Sequence, residues 1–446
     1  MAVKQIWPQA GRAFLWVASG LLACYGLWFG WQMTRTTAPP PITLRLSCWG
    51  TPTEKHLLSQ LAQQFEAKHP TVRVQVHHTP DNYFAKLHLL MAAHKAPDVM
   101  MVNSLAVPTY ARAGHLLPLD DWLATQPPTD AATAYEPQAL EAMRTSLPLG
   151  ERALVALPRD VSVLGVMVNI SLLQQVLGKA TTQALLAKAQ GDTPEAELWQ
   201  WNEALAVGQT LQQKAQAQGQ RVYAWSFYSS PPLYWLPFVW SWGGEWLSPS
   251  TQAPATVASL LADDRARAGL ASYTALRHQH QLAPSLTLTG QTPMTQLFLR
   301  QQLAFMVAGP WVVPFLRQQA PFEWDVLRFP AGPKGSKVGV DASGFAVWAH
   351  TPHPHEAKAL LAHMSSAEAQ ALLASSGLLV PARPAVATQL WQQASEAALP
   401  PAHAQQVWQG ALTHGVPTQV PAHWHQLSEQ VSDHLKPWFD QNQAPR

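Results

Sequence analysis

The residues from Ile42 to Asn103 alternate between two hydrophobic periods. Short runs have apolar side chains at every second position, and the longer runs between them have apolar side chains every three or four positions. A strand points alternate side chains to opposite faces, whereas a helix repeats about every 3.6 residues. Strand, helix, strand, helix and strand with short connections predict a parallel α/β sheet.

The connections within this stretch indicate where a ligand can bind. In open α/β sheets, ligands bind beyond the carboxyl ends of the strands. Trp49 and Asn103 stand at two such ends, and both are candidate ligand contacts. The predicted elements are a strand at 42–47, a helix from a Thr53 cap to Pro70, a strand at 72–76, a helix around 87–91 and a strand at 98–103.

An uncharged segment precedes this body. Residues 13–34 contain no charged side chain, and about 20 helical residues span about 30 Å, the thickness of a bilayer core. Lys4 and Arg12 lie before the segment, so the positive-inside rule predicts that the chain after residue 36 lies outside the cytoplasm. We expect residues 1–35 to be an uncleaved signal anchor and residues 36–41 (TTAPPP) to be a stiff linker.

Two other export signals remain as alternatives at this end. The run Leu21-Leu22-Ala23-Cys24 resembles a bacterial lipobox, in which Cys24 would be lipidated. A cleaved signal peptide is the third alternative, although the apolar core is longer than such peptides usually have. All three predict a protein body on the outer side of the cytoplasmic membrane.

Composition narrows the function classes. A chain of 446 residues is too long for one core, so we expect two lobes. A net charge of +2 with scattered Lys and Arg argues against nucleic acid as a partner, and two cysteines cannot form a disulfide framework or a thiolate metal site. Twenty Trp residues mean that several are partly exposed, which favours ligand contact.

The stretch Gln301–Val313 (QQLAFMVAGPWVV) contains the clearest isolated candidate. Its apolar run predicts a strand, which Gly309-Pro310 ends. Trp311 therefore stands at the start of the next element, where an indole can serve as a ligand platform. The alternative is that Trp311 is one more core aromatic residue.

Six motifs in order resemble the bacterial extracellular solute-binding proteins of the maltodextrin-binding type, which serve ATP-driven importers. The resemblance covers residues 42 to 435. The motifs are FEAKHP at 65–70 with the alternating valines after it, APDV at 96–99, GHLLPL at 114–119, WGGE at 242–245, AFM with GPW at 304–311, and FPAGP at 329–333.

The resemblance implies a periplasmic-binding-protein-like α/β fold of two lobes joined by a hinge of crossover strands. We expect crossovers near 158–162, 340–344 and 377–383. The expected N-lobe comprises residues 42–158 plus 342–380, and the expected C-lobe comprises residues 159–341 plus 381–446. The resemblance further implies a monomer without a bound cofactor, a small-molecule ligand, and the transmembrane subunits of an ABC permease as partners.

A sugar site needs aromatic platforms beside polar groups that pair with hydroxyls. Matched positions in the family nominate five aromatic residues, although several could instead be core residues: Trp49, Tyr234, Trp242, Trp311 and Trp424. The polar candidates lie at strand ends or crossovers, where Asp98 could instead cap backbone groups and Asp160 could pair with Arg159. They are Asp98, Asn103, Asp160, Ser162, Asp341 and Arg383.

Several functions remain open at this point. A buried Arg383 would suit an anionic solute such as a glycerol phosphate diester, as the alternative to a mono- or oligosaccharide. A glycoside hydrolase needs two carboxylates across a cleft, but nothing in the sequence pairs them, and we expect no enzyme. A membrane-anchored sensor or assembly factor is the remaining class. The histidines at 350, 353, 355 and 363 lack carboxylate or Cys partners at ligand spacing, so we expect no metal site.

Overall fold

The computed structural model describes Tyr25 and residues 40–190, 199–248, 254–375, 377–397 and 399–444. Two sheets contain most of the strands in this part of the chain. The expected signal anchor therefore lies almost entirely outside the described residues, as does Cys24. Among the residues described, no helix has the length and apolar character needed to cross a bilayer. Residues 43–446 cluster as one unit, and all that follows concerns this unit and the start of its first strand.

The described strands have between two and nine residues, and β11 is the longest of them. They are β1 (Ile42–Cys48), β2 (Val72–His78), β3 (Val99–Asn103), β4 (Arg144–Ser146), β5 (Arg152–Leu154), β6 (Leu157–Val163), β7 (Gly165–Asn169), β8 (Tyr223–Trp225), β9 (Leu303–Ala308), β10 (Trp324–Leu327), β11 (Gly339–Val347), β12 (Val380–Pro381) and β13 (Val416–Pro417).

The helices lie between these strands and dominate the C-terminal third. They are α1 (Pro52–Lys68), α2 (Tyr83–Ala92), α3 (Val107–Arg112), α4 (Asp120–Ala124), α5 (Pro137–Ala142), α6 (Ile170–Leu177), α7 (Lys179–Gln190), α8 (Trp201–Ala217), α9 (Leu236–Ser241), α10 (Val257–Ala262), α11 (Asp264–His278), α12 (Leu286–Thr289), α13 (Met294–Leu299), α14 (Val313–Gln319), α15 (Pro354–Met364), α16 (Ala367–Ala374), α17 (Pro384–Glu396), α18 (Ala404–His414) and α19 (Trp424–Gln441).

The first sheet has the strand order β12-β6-β11-β3-β1-β2, with β13 paired to the start of β11. As predicted, β1 and β3 run parallel. The sheet is mixed rather than wholly parallel, because β11 returns antiparallel between β3 and β6. The second sheet has the order β10-β7-β9-β8. These two sheets, each with its own helices, are the cores of two α/β lobes.

The predicted crossover segments are neighbours in the first sheet. They correspond to β6, β11 and β12, which lie side by side. Only Leu164 separates β6 of the first sheet from β7 of the second. Gly344 permits this close arrangement, because a β-carbon there would lie 2.0 Å from the carbonyl oxygen of Leu157 on β6. The exact lobe boundaries stay a prediction.

The first helix begins two residues earlier than predicted. Thr51, not Thr53, is the N-cap, and its Oγ1 accepts a hydrogen bond of 3.2 Å from the backbone N–H of Glu54. Pro52 explains the shift, because the first helical position tolerates a residue without an N–H donor. The helix ends at Lys68, before Pro70 as expected, and buries Leu58, Leu61, Ala62 and Phe65.

Candidate functional site

A cavity of about 750 Å³ lies where the crossover strands meet segments of both lobes. This volume is within the roughly 300–1,000 Å³ typical of small-molecule sites. The first sheet contributes the ends of β1 and β3, together with β6 and β11. The second lobe contributes the segment after β9, and the C-terminal region contributes the start of α19.

Seven of the eleven predicted contact residues line this cavity, although the sequence separates them by up to 375 positions. Cross-strand register explains the polar members, because Cα partners on paired strands point to the same face. Asp341 is opposite Ser162, and Ser343 is opposite both Asp160 and Asn103. The seven residues are Trp49, Asn103, Asp160, Ser162, Trp311, Asp341 and Trp424.

Trp49 follows β1 and is half-buried at the cavity wall. Its ring packs against Tyr83 and Phe84, with centroid distances of 5.1 and 5.2 Å. The guanidinium carbon of Arg159 lies 5.9 Å from its ring centroid, within the range of a cation–π contact. These contacts hold the indole in one orientation at the end of the strand.

Trp311 lies in a short 3-10 helix, Pro310–Val312, directly after β9. It is 38% exposed, whereas Val312 and Val313 are buried. The predicted break at Gly309-Pro310 is therefore confirmed, and the ring projects from the element end into the cavity. Trp424, the first residue of α19, and Trp240 of α9 complete the aromatic lining.

A buried charge network lies beneath the polar wall. Arg159 pairs with Glu54 through Nη1 and with Asp160 through Nε at 2.9 Å. The Ser343 backbone N–H donates to Asp160 Oδ1 at 3.1 Å, and its hydroxyl donates to Oδ2 at 2.5 Å. The predicted alternative of a structural Arg159–Asp160 ion pair is thus present, and Asp160 lines the cavity with both of its oxygens already occupied.

Asp341 has a different environment from Asp160. It is half-buried on β11, and Ser104 Oγ donates to its Oδ1 at 3.3 Å. No Lys, Arg or His in the described part of the chain forms an ion pair with it. Burial raises the pKa of its carboxyl to about 6, and the hydroxyls of Thr418 and Ser104 oppose that rise.

Two polar candidates lie outside the cavity. Asp98 precedes β3 and so lies at the opposite end of that strand from Asn103, about 16 Å away at about 3.3 Å per residue. Its buried carboxylate accepts from the backbone N–H of Arg45 at 2.8 Å and from Thr351 Oγ1 at 2.7 Å, so its role is to cap neighbouring groups.

Arg383 is likewise buried away from the cavity. Its guanidinium donates to Asp130 Oδ1 at 2.9 Å, to the Tyr135 hydroxyl at 2.8 Å and to the carbonyl oxygen of Ser365 at 3.0 Å. It also lies over the Tyr135 ring, 4.3 Å from the centroid. Protein groups therefore occupy the donors that an anionic ligand would need.

Two aromatic candidates are packing residues instead. Tyr234 stacks on Tyr228 with a centroid distance of 3.9 Å, while its neighbour Leu233 lines the cavity. In a 3-10 turn, adjacent side chains point about 120° apart, so only one of the two can face the ligand. Trp242 stacks on Phe238 at 5.7 Å and does not reach the cavity.

Sequence reasoning missed several residues of the wall, among them the buried Glu54 of α1, Asp81, Ser104 and Thr418. No local pattern marks them, because each becomes a wall residue only through pairing or packing of distant segments. Trp240 lies in a stretch rich in aromatic residues, 226–247, and nothing in the local sequence separates it from Tyr234 as a candidate. Among the described residues, no group of three or more His, Cys, Asp or Glu has the arrangement of a metal site.

The model of one protein family matches residues 49–371, which is most of the chain. That family is the bacterial extracellular solute-binding proteins. This chain belongs to it. The motif resemblance is therefore confirmed. Proteins of this family bind solutes outside the bacterial cytoplasm and are not enzymes. A comparison of the sequence with curated proteins finds no significant match.

Solved structures share the same fold at low sequence identity. The ABC substrate-binding protein Lmo0181 from Listeria monocytogenes, in complex with cycloalternan, has a TM-score of 0.74 at 20% identity and covers 91% of this chain and 95% of its own. A solute-binding protein from Thermotoga lettingae, bound with alpha-D-tagatose, has a TM-score of 0.71 at 18% identity, with coverage of 91% and 96%. These likenesses establish the periplasmic-binding-protein-like fold of the extracellular solute-binding protein described here.

Proposed function

We propose that this extracellular solute-binding protein is the substrate-binding component of an ABC-type importer and binds a carbohydrate in the cavity between its lobes. The single observation on which this proposal depends is the composition of the cavity wall. Aromatic faces and hydroxyl-pairing groups, contributed by both lobes, converge on one cavity of about 750 Å³.

The aromatic groups suit the apolar faces of sugar rings. Trp49 follows a strand of the first sheet and Trp311 follows a strand of the second, while Trp240 of α9 and Trp424 of α19 belong to the same lining. Sugar rings present patches of C–H that pack on such faces. Partial exposure of Trp49 and Trp311 leaves both faces accessible to a ligand.

The polar groups suit sugar hydroxyls. Asn103 offers an amide, Ser162 a hydroxyl and Asp341 a carboxylate at the same wall. Together they supply donors and acceptors for groups that both donate and accept. The solved proteins with this fold support the same ligand class, since two of them were obtained with cycloalternan and with alpha-D-tagatose.

The distribution of charge argues against the anionic alternative. A glycerol phosphate diester needs a cation with free donors. Arg383 lies outside the cavity, and Arg159 already bridges Glu54 and Asp160. A carbohydrate therefore fits the wall better than an anionic solute.

Hinge closure would allow a permease to distinguish the ligand-bound protein from the empty one. The three crossover segments are adjacent in one sheet, so a small rotation about them would bring Trp49 and Trp311 together around a ligand. Contacts with both lobes would stabilise the closed form. We infer that the closed form docks on a membrane-embedded permease and that the N-terminal segment tethers the protein to the outer side of the membrane.

A binding panel tests the proposal. Mono-, di- and oligosaccharides and glycerol phosphates are titrated against the purified protein, with intrinsic Trp fluorescence and calorimetry as readouts. We expect one saccharide to bind with a dissociation constant of roughly 1 μM, about 8 kcal/mol, without turnover, and to compact the protein in small-angle scattering. Tight binding of a glycerol phosphate alone would overturn the carbohydrate assignment. Product formation would overturn the binding function, and silence across the panel would favour a sensor or assembly role.

A further inference from the structure

The charged side chains of the cavity wall are unequal in number. Four carboxylates line it, those of Glu54, Asp81, Asp160 and Asp341, against the one guanidinium of Arg159 in the described part of the chain. Arg159 is shared between Glu54 and Asp160. Asp81 and Asp341 therefore remain without a cationic partner among the described residues.

Asp341 is the better placed of these two carboxylates. It points into the cavity from β11, directly opposite Ser162, whereas Asp81 is exposed at the rim. The groups that face Asp341 from the neighbouring segments are hydroxyls, Ser104 after β3 and Thr418 after β13. The nearest charged groups of the wall are Arg159 and Asp160 on β6 and Glu54 on α1, which pair with one another. A half-buried carboxylate without a countercharge is costly, and a bound cation would remove that cost.

The aromatic lining of the cavity also favours a cationic ligand. Trp49, Trp240, Trp311 and Trp424 line the cavity, Trp49 and Trp311 with partly exposed side chains, and the face of an indole ring attracts cations. An excess of negative charge in a cleft also raises the local concentration of cationic solutes. Carboxylates and ring faces thus select the same kind of ligand.

We propose that the carbohydrate bound in this cleft carries a protonated amino group and that Asp341 receives this group, so that the ligand is an aminated sugar rather than a neutral one. This inference rests on the carbohydrate-binding function proposed above and specifies its substrate class. Asp341 is then the specificity-determining residue, and Asp81 attracts the ligand from the rim.

Matched sugars test the inference. Each set contains an amine, the corresponding hydroxyl compound and the corresponding N-acetyl compound: glucosamine, glucose and N-acetylglucosamine, the same three forms of galactose, and the β-1,4-linked dimers and trimers of the glucose series. Affinities are measured by calorimetry at pH 7.0 in low salt. We expect the amine of at least one set to bind about tenfold or more tightly than both neutral members.

Variants identify the residue responsible. Asp341→Asn should reduce the preference for the amine to about twofold or less, and lowering the pH to 5 should do the same in the unaltered protein, because Asp341 then becomes protonated. Asp81→Asn should weaken amine binding by a smaller factor that disappears in high salt. Asp121→Asn, an exposed charge change on α4 away from the cavity, is the matched control and should leave the preference unchanged.

Equal or tighter binding of the neutral members in every set that binds overturns the inference and leaves the carbohydrate function intact. A preference for the amine that persists in Asp341→Asn overturns the role of Asp341. Binding of no sugar, aminated or neutral, overturns the carbohydrate function and the inference with it.

Discussion

The indole of Trp311 lies over the α-carbon of Gly309, so that a β-carbon on residue 309 would come within 2.0 Å of Trp311 Cζ3. The absence of a side chain at residue 309 is thus the reason that the indole can lie against the backbone at this position, beside the cavity. Three consecutive residues thus have three roles: Gly309 follows the end of the strand, Pro310 begins the 3-10 helix, and Trp311 carries the exposed ring.

Replacing Trp311 by Ala should weaken binding of the tightest saccharide at least about tenfold, about 1.4 kcal/mol. The ring is exposed to the cavity, so its loss removes contact with the ligand and little core packing. Calorimetry measures the affinity, and urea unfolding of the same variant measures the free energy of unfolding. A fall in stability with unchanged affinity would make Trp311 a core residue.

Replacing Gly309 by Ala should weaken binding by a similar factor, because the added methyl group displaces the Trp311 ring. Gly290→Ala is the matched control. Gly290 lies outside the cavity lining, and a β-carbon there would approach no atom closer than 3.3 Å. Quenching of Trp fluorescence by acrylamide should change in Gly309→Ala only. Equal affinities in the two variants would contradict this explanation of the turn.

Replacing Arg159 by Met should lower the free energy of unfolding by about 3–5 kcal/mol, because it leaves Glu54 and Asp160 buried without their countercharge. The loss should be smaller in the double variant Arg159→Met with Glu54→Gln, which removes one of the two stranded charges. Urea unfolding at pH 7.5 measures both. Similar instability in the single and double variants would mean that packing, rather than charge, dominates.

Replacing Arg383 by Met should reduce stability but leave ligand affinity within about twofold. Its guanidinium joins Asp130, Tyr135 and Ser365 within the protein, and we expect a cost of about 2–4 kcal/mol for breaking a largely buried ionic group. The affinity is measured at a temperature where the variant is fully folded by circular dichroism. A tenfold loss of affinity in the folded variant would restore Arg383 as a ligand contact.

Replacing Asp341 by Asn should make the unliganded protein more stable at pH 7.5 by about 3 kcal/mol. Burial raises the pKa of this carboxyl to about 6, above its value in the unfolded chain. Between about pH 4 and pH 6 the folded protein therefore holds a proton that the unfolded chain has released, and this group lowers stability as pH rises through that window. The difference between the variant and the parent should vanish near pH 4. A variant that is less stable at pH 7.5 would contradict the cost assigned to Asp341.

The sequence by itself determined the local architecture. The alternation of periods in residues 42–103 reflects the fixed geometry of strands and helices. The elements β1, α1, β2 and β3 follow it within one or two residues, whereas α2 begins at Tyr83, four residues before its predicted centre at 87–91. Gly309-Pro310 ends the strand for a local reason, because proline has a fixed φ angle and no backbone N–H to donate. Six motifs in the expected order were sufficient to identify the protein family.

Only the tertiary structure decided which side chains form the site. Asp98 and Asn103 flank or end the same strand, yet Asp98 is buried by contacts with Arg45 and Thr351, whereas Asn103 lines the cavity. Asp160 and Ser343 are 183 positions apart, and their hydrogen bond depends on the register between β6 and β11. Leu233 and Tyr234 are neighbours in one 3-10 turn, and the direction of that turn decides that Leu233 lines the cavity while Tyr234 packs on Tyr228. Whether a side chain lines the cavity or packs in the core depends on contacts between segments that are distant in sequence. The sequence could therefore nominate Trp, Asp and Arg residues but could not choose among them.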